Sequence, residues 1–137
     1  MLKPKTTNQH NLQKNMNYFY NIGRYLFALT FVVFGIQHFI YADFVSTLVP
    51  GWIPFHLFWV YVVGIAFIMA PISIVINKLA RLACIMLGAT IFLFVALIHI
   101  PLILENIHDG GKIANMFKDV GLGSCAFILG STFSKEG

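Results

Sequence analysis

The stretch FHLFWVYVVGIAFIMAPISIVINKLARLACIMLGATIFLFVALIHIPLIL, residues 55–104, decides the fold because it holds two long apolar runs with almost nothing between them. A helix needs about 20 mostly apolar residues to cross a bilayer, and residues 55–76 and 79–104 both meet this length. Asn77 and Lys78 leave room only for a tight turn between the two runs. The stretch therefore predicts two neighbouring, antiparallel transmembrane helices.

Two further apolar runs flank this pair. Residues 22–41 form a full span with Arg24 near its start, whereas residues 113–133 form a fourth span that Lys118 and Asp119 interrupt. From Val120 onward the fourth run keeps only about 14 apolar residues, fewer than a full crossing needs. Four successive spans, two of them joined by a very short connection, predict an all-α fold, an integral membrane antiparallel four-helix bundle.

The ends of the chain and its charges predict the topology. The four spans lie in one transmembrane domain, residues 18–134, preceded by a polar tail, residues 1–17, that is predicted to be disordered and cytoplasmic. Residues 135–137 form a short cytoplasmic end. With four spans, most basic residues fall on the side of these ends: Lys3, Lys5, Lys14, Arg24, Lys78, Arg81 and Lys135. The positive-inside rule therefore places both termini in the cytoplasm, and Arg24 and Arg81 are expected to reach lipid headgroups.

The composition is typical of a membrane protein. Hydrophobic residues make up 58% of the 137 residues and charged residues 10%, against roughly 25% charged residues in a soluble domain. A net charge of +4 does not indicate nucleic-acid binding, since the basic residues stand at the ends of apolar runs and form no patch. Cys84 and Cys125 have no C-x-x-C spacing and predict neither a disulfide framework nor a thiol redox motif.

Helical spacing places small and ionisable residues on common faces. Steps of three and four residues connect three stripes: Arg24, Ala28, Phe31, Gly35 and His38; Cys84, Gly88, Phe92, Val95 and His99; Asp119, Gly123, Ala126 and Gly130. Because alternate spans run in opposite directions, His38, His99 and Asp119 are predicted at a similar depth near the outer leaflet. Ionisable groups in a membrane usually face the bundle interior and pair there. These three residues therefore predict a polar pocket and are the catalytic candidates.

The wider set of candidate ligand-binding residues includes the aromatic and ionisable side chains expected around this pocket: His38, Trp52, His56, Trp59, His99, Glu105 and Asp119. An alternative is that the histidines and tryptophans are ordinary interface anchors and that Asp119 complements the positive end of the fourth helix. No metal is expected, since dense pairings such as His-x-x-x-His are missing.

Several short motifs, spread from Arg24 to Gly130, point to a known family. They are Arg24, Gly35-x-x-His38-Phe39, Pro50-x-Trp52-Ile53-Pro54, Phe58-Trp59-x-Tyr61-x-x-Gly64, Arg81, His99-x-Pro101 and Lys118-Asp119. With these motifs the chain resembles the DoxX-like family of small bacterial integral membrane proteins. The resemblance implies a multi-pass protein of the bacterial cytoplasmic (plasma) membrane, in a family linked to respiratory redox complexes and thiosulfate-to-quinone electron transfer.

Two functions follow as hypotheses, one of them enzymatic. The first is an accessory subunit of a membrane redox or quinone-linked process, in which His38 or His99 offers a hydrogen bond to a quinone carbonyl. The second is a four-helix membrane enzyme whose His and Asp pair transfers a proton on a small lipophilic substrate. The expected partners are the lipid bilayer, a membrane redox complex or a second copy of the chain, and no nucleic acid.

Overall fold

The computed structural model describes residues 7–134, which are all-helical with no β-strand among them. The predicted cytoplasmic end, residues 135–137, lies outside these described residues. The helices are α1 (Thr7–Ile40), α2 (Ala42–Ser46), α3 (His56–Ile76), α4 (Ala80–Phe94), α5 (Ile100–Glu105) and α6 (Gly110–Thr132). A π-helical segment, Val95–His99, joins α4 to α5 without a break. The all-α class predicted from the sequence is confirmed.

Three helices in the described part of the chain are long and apolar enough to cross a membrane: Asn8–Ile40, His56–Ile76 and Ala80–Glu105. Their ends agree within one residue with the predicted spans 22–41, 55–76 and 79–104, except at the start of α1. Helix α6 occupies the position of the fourth predicted span, but it is not one of these three helices. Its first half carries three charged residues, which lower its hydropathy.

Helix α1 begins at Thr7, well before the predicted span. The part of the predicted disordered tail that the structure describes is therefore helical. The physical reason is that no glycine or proline occurs between Thr7 and Gly23, so the helix of the apolar run extends into polar residues. Each added residue gains a backbone hydrogen bond without a new nucleation step. The extension is exposed, including the side chains of Leu12 and Met16.

The helices pack mainly as two pairs, α1 with α3 and α4 with α6, and the pairs meet where α3 packs on α4. Each pair is antiparallel. Arg24, at the middle of α1, donates hydrogen bonds to the carbonyl of Ile74 near the end of α3, whereas Gly35, farther along α1, lies against Gly64, nearer the start of α3. Cys84, near the start of α4, lies against Gly130 near the end of α6. A core shared by these helices contains Phe31, Phe67, Ile74, Cys84, Leu87, Ile91 and Ala126.

Glycine allows the closest helix approach within the first pair. A Cβ atom on Gly35 of α1 would lie 3.0 Å from the Gly64 carbonyl oxygen and 3.3 Å from the Ile68 nitrogen of α3. Small residues at such positions let helix backbones approach in a membrane, where packing contributes more to association than the hydrophobic effect. This contact fixes the register of α1 on α3 and with it the height of His38.

The π-helical segment ends two residues before Pro101, which explains it. Proline lacks an N–H group, and its ring clashes with the carbonyl four residues earlier in an α-helix, here that of Leu97. The wider π turn accommodates this ring, and the Ile100 N–H donates to the Val95 carbonyl, five residues back. His99 is the last residue of the segment. Its direction therefore depends on this local widening of the helix.

Candidate functional site

His99 and Asp119 form a hydrogen bond between α6 and the π-helical segment. The distance from His99 Nε2 to Asp119 Oδ2 is 2.7 Å. Asp119 is buried, with 8% of its surface exposed, and it is the buried charged residue in the described chain. Because α4 and α6 are antiparallel, a residue near the end of one meets a residue in the first half of the other. The stripes predicted from sequence spacing place both side chains on facing surfaces.

Lys118 completes a small charged cluster with Asp119. Its Nζ lies 3.5 Å from Asp119 Oδ1, while its side chain is half-exposed. The same ammonium group lies 5.4 Å from the centroid of the Phe34 ring on α1. A buried carboxylate is costly unless hydrogen-bonded and paired. Asp119 meets both conditions, with one oxygen bonded to His99 and the other facing Lys118.

The second ring nitrogen of His99, Nδ1, forms no hydrogen bond within residues 7–134. No buried side-chain nitrogen or oxygen in this part of the chain lacks a partner, so Nδ1 is not sealed inside the protein. When the carboxylate of Asp119 accepts a hydrogen bond from Nε2–H, neutral imidazole presents Nδ1 as an acceptor. A protonated ring would present Nδ1–H as a donor. The pair can therefore orient an imidazole whose free nitrogen accepts or donates a hydrogen bond.

His38, the third catalytic candidate, occupies a separate position. Its Nδ1 donates to the Phe34 carbonyl at 2.8 Å, and its ring packs edge-on against Phe67 at 5.3 Å. No hydrogen bond joins His38 to His99 or Asp119 in the described chain. Phe34 connects the two regions, since its carbonyl binds His38 and its ring lies below the Lys118 ammonium.

The remaining ligand-binding candidates lie at the same end of the protein but do not reach the pair. Trp52 is 73% exposed in the loop before α3, and Trp59 donates from Nε1 to the Pro54 carbonyl at 3.2 Å. His56 is the first residue of α3 and is half-buried, and Glu105 is exposed at the end of α5. No hydrogen bond connects these four residues to His99 or Asp119 among residues 7–134. Their roles in ligand binding stay predictions.

Two residues that the spacing argument did not assign to a site have specific contacts. Lys118 interacts with Asp119, and the signal for it was its position next to a charged residue inside an apolar run. Arg24 donates hydrogen bonds to carbonyls at the end of α3 instead of only extending toward headgroups. The signal for Arg24 was a charged residue just inside the first apolar run, on the same stripe as His38.

The heights of His38 and Asp119 can be compared along the axes of their helices. At about 1.5 Å per helical residue, His38 lies roughly 21 Å along α1 from Arg24, and Asp119 lies roughly 20 Å along α6 from Thr132. Arg24 and Thr132 border one cavity, so they mark the same level. His38 and Asp119 therefore lie at similar heights, roughly 20 Å from the level of Arg24 and Thr132.

No three His, Cys, Asp or Glu side chains are grouped closely enough to hold a metal ion within the described residues. Cys84 is buried against α6, whereas Cys125 is exposed on the outer face of that helix. The polar centre is thus composed of one imidazole, one carboxylate and one ammonium group.

These observations define an all-helical protein with three helices of membrane-spanning length and a His–Asp pair whose carboxylate is buried. Residues 27–118 match the family described as "Domain of unknown function (DUF8561)", which covers more than half of the chain. The chain belongs to this family. The matched region includes His38 and His99 and ends one residue before Asp119. No curated protein and no solved structure shows a significant match.

Proposed function

We propose that this chain is a DoxX-like, four-span protein of the bacterial plasma membrane with both termini in the cytoplasm. Helix α6 supports the fourth span, because its 23 residues extend about 35 Å, enough to cross a hydrocarbon core. Its charged residues lie in the half that pairs with the end of α4 and are satisfied there: Asp119 is bonded to His99 and faces Lys118, and Lys112 donates to the Leu102 carbonyl. The basic residues on the Arg24 side support the orientation.

The fourth span and the orientation are tested together by reporter fusions. Green fluorescent protein fused after Gly137 is expected to fluoresce, because the C-terminus lies in the cytoplasm in the proposed topology. Alkaline phosphatase fused after His108, before α6, is expected to be active, because that position is outside. A fluorescent His108 fusion combined with an inactive phosphatase fusion there would contradict this topology.

Within that membrane protein, the proposed function is an accessory subunit of a quinone-linked redox process. The observation that carries it is the 2.7 Å His99–Asp119 hydrogen bond with His99 Nδ1 unsealed. Buried ionisable groups in membrane helices are costly and mark functional sites. A quinone is a suitable ligand because its ring is lipid-soluble while its carbonyl and hydroxyl groups need hydrogen bonds.

The imidazole suits both redox forms of such a ligand. Neutral His99 would accept a hydrogen bond at Nδ1 from a quinol hydroxyl, and protonated His99 would donate one to a quinone carbonyl. Asp119 holds the orientation of the ring in both cases through its hydrogen bond to Nε2. His38 lies at the same height, and its Nδ1 is already bonded to Phe34, which leaves Nε2 for a second contact with the ligand.

The alternative function is a membrane enzyme in which the same pair transfers a proton on a small lipophilic substrate. The observation that favours it is that Asp119 orients His99 as a carboxylate orients a catalytic base. Two cavities in the described part of the chain are lined by other residues. Because Nδ1 of His99 is not sealed inside the protein, a redox subunit that binds its ligand at the protein surface agrees better with this arrangement than an enclosed reaction chamber.

Quinone binding provides the test. The full chain, reconstituted in phosphatidylcholine nanodiscs, is titrated with decylubiquinone and a short-chain menaquinone. We expect saturable binding, and His99→Ala should weaken it about 10- to 100-fold, because a hydrogen bond to a charged group contributes about 1.5–3 kcal/mol. Thr90→Ala is the matched control, since Thr90 bonds only the Met86 carbonyl of its own helix. Circular dichroism checks that each variant is folded.

The outcomes separate the two functions. Binding that depends on His99, together with co-purified redox subunits in a mild-detergent pull-down, supports the accessory subunit. Folded protein that binds neither quinone and retains no redox partner contradicts it. The enzyme alternative predicts instead that Asp119→Asn abolishes turnover of a lipophilic substrate while leaving its binding within a few-fold.

A further inference from the structure

Arg24 forms a second polar centre at the opposite end of the helices from His99. Its Nε donates to the Ile74 carbonyl at 3.0 Å, and Nη2 donates to the same carbonyl and to that of Val75 at 3.1 Å. These carbonyls belong to the last turn of α3, where they have no partner within the helix. A cation at this position also complements the negative end of the helix dipole.

Arg24 lies beside a cavity of about 310 Å³ between the middle of α1 and the ends of α3 and α6. The cavity is lined by Tyr20, Arg24, Asn77, Thr132, Phe133 and Ser134. Five of these six side chains carry a hydrogen-bonding group. The Tyr20 hydroxyl and Thr132 Oγ1 are 2.9 Å apart, which joins α1 to the end of α6 along one wall.

The guanidinium group of Arg24 retains N–H donors and a positive charge with which it can bind a ligand. Its hydrogen bonds use Nε and Nη2, so Nη1 has no protein acceptor within residues 7–134. Neither of the salt bridges in that part of the chain includes Arg24. The Phe133 ring, with its centroid 5.2 Å from Arg24 Cζ, restrains the plane of the group. A held guanidinium with unused N–H groups is a phosphate-binding arrangement.

We propose that this cavity binds the phosphate group of an anionic phospholipid from the cytoplasmic leaflet. The helix ends at this level, Asn77 after α3 and Thr132 in α6, mark the height at which headgroups lie in the proposed orientation. Lys78 is exposed next to Asn77 and adds positive charge. The Arg24 centre shares no residue with the His99–Asp119 pair, and its ligand binding is independent of a redox function.

An apolar groove beside Arg24 favours a lipid over free phosphate as the ligand, because the groove can hold an acyl chain. The groove has a volume of about 320 Å³ and runs between α1 and α3. Tyr25 and Val75 form the part of its lining nearest to Arg24, and Val32 and Pro71 form the part farther into the span. The Tyr25 ring centroid is 5.9 Å from Arg24 Cζ, so polar and apolar parts meet at this ring. An acyl chain in the groove leaves its headgroup beside the guanidinium.

Lipid retention measures this site. The full chain is purified in mild detergent, stripped of lipid, and mixed with equal amounts of phosphatidylglycerol and phosphatidylcholine before native mass spectrometry. We expect phosphatidylglycerol to be retained about tenfold more strongly than phosphatidylcholine, since only the former is a net anion. Inorganic phosphate at the same concentration is a separate competitor and should not displace the lipid.

Two variants with matched controls locate the binding. Arg24→Gln removes the charge and is expected to lower phosphatidylglycerol retention about tenfold, whereas Arg81→Gln removes a charge outside the cavity lining and should change it less than twofold. Ser134→Glu leaves the Arg24 hydrogen bonds intact but places a carboxylate at the anion site, and it should lower retention as Arg24→Gln does. Ser131→Glu adds the same charge at an exposed position outside the lining and should not.

Each contrary result has a definite meaning. Equal retention of the two lipids contradicts an anion site. Equal losses in Ser134→Glu and Ser131→Glu indicate general surface charge and contradict the cavity. Displacement by inorganic phosphate at the lipid's own concentration contradicts the role of the groove and assigns the cavity to free phosphate. Because Ser134→Glu does not alter the contacts that hold α3, misfolding of Arg24→Gln would not prevent a decision.

Discussion

Replacement of Gly35 by alanine tests the closest contact between α1 and α3. The added methyl carbon would lie 2.6 Å from Ile68 Cγ1, 3.0 Å from the Gly64 carbonyl oxygen and 3.3 Å from the Ile68 nitrogen. The first of these atoms is in a side chain, but the other two are backbone atoms that cannot rotate away. The methyl group can be accommodated only if the two helices separate.

The magnitude follows from two opposing contributions. Alanine in a helix interior is favoured over glycine by about 1 kcal/mol, whereas overpacking a close contact costs about 1–3 kcal/mol. Gly23 lies in the same helix, and an added methyl group there meets no atom within 4 Å. In Gly23→Ala only the helix preference of alanine over glycine therefore applies. The difference in unfolding free energy between Gly35→Ala and Gly23→Ala should be about 1–3 kcal/mol, with Gly35→Ala the less stable.

The assay is reversible unfolding in lipid–detergent bicelles, followed by far-UV circular dichroism as sodium dodecyl sulfate is increased. Adding Ile68→Ala to Gly35→Ala removes the Cγ1 contact but leaves the Gly64 carbonyl in place. This second change should recover only part of the loss. Equal stability of Gly35→Ala and Gly23→Ala would refute the close approach of α1 to α3.

Two further predictions concern the ends of helices around the His99–Asp119 pair. Asp109 accepts hydrogen bonds from the N–H groups of Gly111 and Lys112 at the start of α6. Asp109→Ala should therefore lower the unfolding free energy by about 1 kcal/mol, and Asp109→Asn should lower it by much less. Both are measured in the same bicelle assay. Pro101→Ala should restore an α-helical turn and rotate His99 away from Asp119. The infrared or NMR signals of the imidazole should then become those seen in Asp119→Ala. An unchanged imidazole signal would contradict the role assigned to the proline.

Most helix ends were predictable because they depend on local chemistry. Hydropathy changes abruptly at the turn around Asn77, so α3 and α4 end close to where the sequence places them. The start of α6 at Gly110 was harder to predict from the sequence. Its two glycines favour a turn, but the side chain of Asp109 satisfies two of the first free N–H groups and extends the helix back to that residue.

The arrangement of the candidate site was predictable only in part. Periodicity places His99 and Asp119 on facing stripes, because both belong to helices that pack against each other along their small residues. The separation of His38 from them was not predictable, since it depends on the Phe34 carbonyl within the same helix and on packing against Phe67. Sequence spacing describes which face a side chain occupies, but not which neighbouring ring intervenes.

The arrangement as two helix pairs has a consequence for the order of biosynthesis. Each pair is made of consecutive segments, so α1 and α3 can insert as one hairpin before α4 and α6 leave the ribosome. The Arg24 hydrogen bonds to Ile74 form within the first hairpin, whereas the His99–Asp119 bond forms within the second. These hydrogen bonds therefore form at different times during translation, and the cavity beside Arg24 is completed last, when the end of α6 supplies Thr132, Phe133 and Ser134.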